Sequence, residues 1–199
     1  MLKTTSTAIT EALAKLVSHI PSSQEPVNLA PKEKSLAVAR GAALRAAGIS
    51  GALALPPGPL GLATIIPDLI AIWRVQQTMV ADIAAVYGKT PFLREEAMIY
   101  CLFKHGGAAL MRDLVVRTGE RYIVQRTAVS AIQTVLRKIG VRVSQRVVGK
   151  SISRLVPIVG AIGVGAYAYY DTIQVAATAI ELFSTDLELE AGKEATERT

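Results

Sequence analysis

At 199 residues the chain is long enough to bury a core of its own and too short for more than one domain with tails. Apolar residues make up 51% against 19% charged, mean hydropathy is +0.36, and only 5% of residues are aromatic; this Ala-, Val-, Ile- and Leu-rich mixture favours helices over strands. A single cysteine, Cys101, excludes a disulfide within the chain and points to a reducing compartment, and the first ten residues lack the apolar block of a signal peptide.

Residues 4–18 carry an amphipathic pattern with Ile9, Leu13, Leu16 and Val17 on one face, which predicts a short first helix. Pro21, Pro26 and Pro31 then mark an exposed linker, so residues 1–31 read as an N-terminal helix and linker. A second helix is expected from Pro31 to Leu55, with proline in its first turn. Along it Ala43, Ala47 and Gly51 recur at four-residue steps and form a face narrow enough for close packing against another helix. The run from Ala46 to Pro67 holds no charge, but Pro56, Pro57 and Pro59 with Gly58 break it into a hairpin that includes Gly61 rather than one spanning helix.

Beyond the turn, Ile65, Leu69, Ile72, Trp73, Gln76, Met79, Val80, Ile83 and Tyr87 trace a period of 3.6 residues, and Gly88 ends that helix. Helices are further expected over 91–103, 107–117, 119–138 and 141–154. Pro157 opens a last long helix toward Phe183, and its first half, with Gly160, Gly163 and Gly165, is the second apolar, small-residue segment. No strand alternation with hairpin signals stands out. The expected fold is all-α, a compact multi-helix bundle with two Gly/Ala-rich hairpin segments, occupying 32–184 and followed by an acidic, flexible tail over 185–199.

Charge is unevenly spread. Residues 112–154 hold ten basic side chains against Asp113 and Glu120, and within them Lys138, Arg142, Arg146, Lys150 and Arg154 fall at strict four-residue steps. On one helix these form a slowly spiralling basic ridge, interleaved with valines, suited to an anionic lipid surface. A solvated face is the plain alternative. Nucleic acid is not expected, because only Tyr122 supplies an aromatic ring in this region.

Recognisable catalytic chemistry is sparse. Cys101 and His105 stand at i and i+4, which would suit a nucleophile pair or half of a metal site. A closed zinc site is out of reach with only His19 as a further imidazole, and neither a dinucleotide fingerprint nor a P-loop is present, so no cofactor or metal is expected. Asp68, Asp82 and Asp171 are embedded in apolar sequence and must find partners. Arg40, Arg45, Arg74 and Arg154 are the cations expected to pair with them in structural ion pairs.

Pro59-Leu-Gly-Leu-Ala-Thr-Ile-Ile-Pro-Asp68, with Arg74, Gln77 and Ile83-Ala-Ala-Val-Tyr-Gly88, resembles the first signature of the EcsC family of bacterial proteins. The segment from Val148 to Gly165, with Asp171 and Ala179-Ile-Glu-Leu-Phe183, resembles the second, and the two together cover roughly residues 35–185 in the right order. Lys89 stands where an acid is common, and Asp171 where an asparagine is common. The resemblance implies an all-helical bacterial protein, from a family named for a neighbour of an ABC transporter linked to secretion, and it implies no established enzymatic activity.

The function expected from these features is that of a non-enzymatic protein at the inner face of the cytoplasmic membrane, engaging anionic lipid or a membrane protein. A soluble module that self-associates through its Ala/Gly faces is the second reading, and a hydrolase using Cys101 and His105 the third.

Overall fold

The computed structural model describes residues 2–53, 65–107, 109, 111, 114–150 and 157–189. Among them lie six helices, α1 (Leu2–Val17), α2 (Pro31–Leu53), α3 (Ile65–Val86), α4 (Glu95–Gly107), α5 (Val129–Lys150) and α6 (Pro157–Phe183). A small sheet of β1 (Val115–Thr118), β2 (Arg121–Val124) and β3 (Asp186–Leu189) accompanies them. The fold is an all-α bundle in class, with the sheet as a minor annex.

The helix positions follow from local chemistry. Pro31 begins α2, where its missing N–H has no intrahelical role to lose. Gly88, at φ +67°, closes α3: its N–H donates to Ala85 and the Lys89 N–H to Ala84, satisfying carbonyls that the helix end would leave bare. The central helix α3 buries Ile72, Trp73, Met79, Val80 and Ile83 and is, by length and composition, the one stretch among the described residues (Pro67–Val86) that could cross a bilayer. Most of it is covered by the rest of the protein, as a core helix is.

α1 belongs to the same core rather than to a separate lobe. Ile9, Leu13, Leu16 and Val17 are buried in it, and the buried amide of Gln77 on α3 donates to the Leu16 and His19 carbonyls at 2.8 and 2.6 Å. The following linker is tied down too, by Ser23 Oγ donating to Asp82 and by Asn28 N–H donating to Val86.

Three local expectations need correction. Residues 115–118 and 121–124 form an antiparallel hairpin instead of helix, turning through Gly119-Glu120 with Gly119 at φ +63°, the conformation a two-residue hairpin loop requires. Residues 129–150 form one helix across Gly140, which does not break it. A Cβ at Gly140 would collide with Thr10 Oγ1 and lie 3.2 Å from the Ser6 carbonyl, so the glycine is where α1 and α5 touch. Finally, Asp186–Leu189, placed in the expected tail, is a strand parallel to β2, with Leu187 buried opposite Tyr122. Its acids face water while its leucines turn inward, a period of two that four residues barely display.

The functional frame is set by α2, α3 and α6. Ala39, Ala42, Ala43 and Ala46 of α2 are buried, and a Cβ at Gly165 of α6 would sit 3.1 Å from the Ala47 carbonyl oxygen and 3.9 Å from Gly51 Cα. Small side chains thus let the α2 and α6 backbones come close together. Gly163, by contrast, is exposed, and a Cβ there would meet nothing within 4 Å. Gly160 lies in the first turn of α6, whereas Gly61 and the proline turn at 56–59 lie outside the described residues.

Candidate functional site

Two polar clusters and one charged face are the chemically distinctive places. The first cluster joins α3, α4 and α6. Asp171 on α6 is hydrogen-bonded to His105 Nε2 at 2.8 Å through one oxygen and accepts from Gln76 Nε2 at 2.8 Å through the other. Gln76, wholly buried, also donates to Thr172 Oγ1 at 3.2 Å, and that hydroxyl donates to the Ala168 carbonyl. The carboxylate expected to meet an arginine is therefore matched by an imidazole and an amide. The other expected ion pairs are rearranged as well. Ser50 Oγ donates to both oxygens of buried Asp68 at 3.0 and 3.1 Å, Asp82 accepts from Ser23 Oγ at 2.6 Å, and Arg74 is exposed on α3 with no ion pair among the described residues.

This arrangement removes the cysteine chemistry. Cys101 is wholly buried, and burial pushes its thiol well above the ordinary range, against a smaller opposing pull from Lys104. His105, on the same helix, is committed to Asp171.

The second cluster gathers at the other end of α6. Glu181 accepts from Tyr122 OH at 2.5 Å and from Lys104 Nζ at 2.8 Å, and Arg117 lies 4.0 Å away. Lys104 also stands 5.2 Å over the Tyr100 ring, and Arg117 stands 5.7 Å from the centre of the Tyr122 ring. Burial first, then the Glu181 hydrogen bond, pushes Tyr122 up to about 12; burial and the Glu181 charge do the same for Tyr100. For Glu181 itself desolvation works upward, but the Lys104 and Tyr122 hydrogen bonds outweigh it and hold the carboxyl below its usual range.

A pH dependence follows. A carboxyl whose folded pKa is depressed contributes stability above its unfolded value, and that contribution disappears as pH falls through the folded value. Urea midpoints are therefore expected to drop below about pH 4.5, and Glu181→Gln should flatten part of that drop while retaining an acceptor for Tyr122. Identical acid limbs for the two proteins would refute this role of Glu181.

The charged face lies on α5. Lys138 and Arg142 are exposed, and the structure adds Arg137 beside them, with Val141 40% exposed between. None of the three cations has an ion-pair partner among the described residues. Arg146 and Lys150 follow on the same continuous helix, and Arg154 lies outside the described residues. The inward face of α5, through Ile132, Val135, Leu136 and Ile139, packs into the core and so fixes which way the cations point. Arg137 was legible in principle, since it precedes Lys138 on the same helical face. Glu181 was not, because its partners lie 59 and 77 residues away in sequence.

Comparison of the chain with protein-family models, with curated proteins and with solved structures finds no match.

Proposed function

We propose that this protein is a non-enzymatic membrane-surface protein that holds anionic lipid headgroups on the outer face of α5. The observation that carries the reading is the exposed triad Arg137, Lys138 and Arg142 around an exposed valine, without carboxylate partners among the described residues. Like charges packed on one helix face repel, and an anionic leaflet relieves that repulsion at about 1 kcal/mol per basic side chain. The resemblance to the EcsC family fits this reading and suggests the inner face of a bacterial membrane as its place.

The self-association reading has less to stand on. Ala39, Ala42, Ala43 and Ala46 are already buried within the chain, and Gly165 closes on Ala47. A second copy would have to displace α6 to reach that face. The hydrolase reading lacks a usable nucleophile at Cys101.

The test is vesicle flotation. The protein should float with phosphatidylcholine vesicles containing phosphatidylglycerol and stay behind with phosphatidylcholine alone, the more so at low salt. Replacing Arg137, Lys138 and Arg142 together by glutamine should weaken binding on the order of 100-fold, which is about 3 kcal/mol for three cations. Equal recovery in the unbound fraction with both vesicle types would reject the proposal.

A further inference from the structure

Contacts among α2, α3 and α6 set a common scale of height. Ser50 meets Asp68; Ala46, Ile72 and Ala168 form one small cluster; Gly165 meets Ala47; and Gln76 meets Asp171 and Thr172. These pairings make α2 antiparallel to both α3 and α6, which run parallel to each other. Leu44 and Arg45 on α2, Arg74 on α3, and Tyr169 and Tyr170 on α6 therefore share one level of the bundle.

Above that level no charge reaches the surface among the described residues. The sequence carries none from Ala46 to Pro67 or from Leu155 to Tyr170, and Asp68 just beyond is buried against Ser50. The exposed positions there include Gly48, Ala52, Gly163 and Ala166. At the shared level the surface changes character: Leu44 is 65% and Tyr170 63% exposed, Tyr169 is also exposed, and Arg45 and Arg74 reach solvent with no ion-pair partner among the described residues. Measured along the helices, Ile65 to Arg74 and Leu44 to Leu53 each span about 14 Å. One leaflet's hydrocarbon is about 15 Å thick.

We infer that this end of the bundle inserts into a single leaflet of an anionic bilayer, with Tyr169, Tyr170, Arg45 and Arg74 forming its girdle at the headgroups. Tyrosines favour that boundary, and arginines there pair with lipid phosphates. A second copy is a poorer occupant, because two such ends meeting face to face would set the Arg45 and Arg74 girdles of like charge against each other. The inference rests on the membrane reading above and adds depth and orientation to it. The two surfaces are compatible: α5 ends at Lys150 and α6 begins at Pro157, so the connecting chain keeps the basic face within about 25 Å of the apolar end.

Ala52→Cys, Ala166→Cys and Ala177→Cys, each carrying an environment-sensitive NBD label, test it in the full chain; the wild type, whose Cys101 is buried, is the labelling blank. Position 177 is exposed on α6 on the far side of the girdle. With phosphatidylglycerol-containing vesicles bearing doxyl-labelled acyl chains, the labels at 52 and 166 should shift to the blue and be quenched, and the label at 177 should do neither. Without a label, Tyr170→Glu should reduce flotation. Flotation with no quenching at 52 and 166 overturns insertion and leaves headgroup binding by α5 standing. A protein that never floats overturns both readings. A blue shift at 52 and 166 before vesicles are added marks a protein–protein contact and likewise overturns insertion.

Discussion

Gly165→Leu is expected to lower the unfolding free energy by about 3 kcal/mol, whereas Gly163→Ala, half a turn away, should raise it by up to about 1 kcal/mol. The opposite signs come from what each added side chain meets. At Gly165 even a Cβ lies 3.1 Å from the backbone oxygen of Ala47, and backbone cannot rotate aside as a side chain can. A leucine there must push α2 from α6, opening the layer that holds Ala42, Ala43 and Ala46. At Gly163 a methyl meets nothing within 4 Å and removes only the conformational freedom that glycine retains in the unfolded chain. For a domain whose whole stability is on the order of 10 kcal/mol, the first change is a large fraction. Urea unfolding followed by circular dichroism measures both. Equal effects at the two glycines would mean that α2 and α6 are not packed as described.

The second large effect is expected at Asp171. Its replacement by alanine should cost about 2 kcal/mol, because the buried Gln76 amide loses an acceptor and His105 loses its partner. Asp171→Asn retains an acceptor for Gln76 and should cost clearly less. His105→Ala should also cost less, because the His105 and Asp171 side chains are 23% and 21% exposed and water replaces part of what the imidazole gives. Urea midpoints for the three variants decide the matter. If the asparagine variant falls as far as the alanine variant, the Gln76 contact is not what Asp171 contributes.

The fold was largely readable where a segment's own pattern is long and repeats every 3.6 residues. α1, α2, α3 and α6 were located from apolar spacing together with Pro31, Gly88 and Pro157, because those residues act on the backbone next to them whatever the rest of the chain does. The sheet was missed for the converse reason. Four-residue strands carry almost no periodic signal, and β3 exists only because Leu187 finds Tyr122 across more than sixty residues of chain. Gly140 misled the boundary of α5: a glycine in a helical pattern reads as a break, yet here it admits α1 at close range.

The candidate surfaces divide in the same way. Lys138 and Arg142 stood out from their four-residue spacing, and composition alone marked the charge-free runs around residues 46–67 and 155–170. Tertiary structure decided which partners the acids took. Asp171 went to His105 and Gln76, and Asp82 to Ser23, instead of the arginines that the sequence offered.

By itself, then, the sequence determined that this chain is helical, that small residues line two of its apolar segments, and that one helix carries a basic ridge. Each of these depends on neighbours within a few residues. That the two uncharged runs share one end of the bundle, with Tyr169, Tyr170, Arg45 and Arg74 level with one another, depends on the relative directions of α2, α3 and α6. Those directions are set by the Ser50–Asp68, Ala46–Ile72–Ala168 and Ala47–Gly165 contacts, which join residues far apart along the chain and leave no local trace in it.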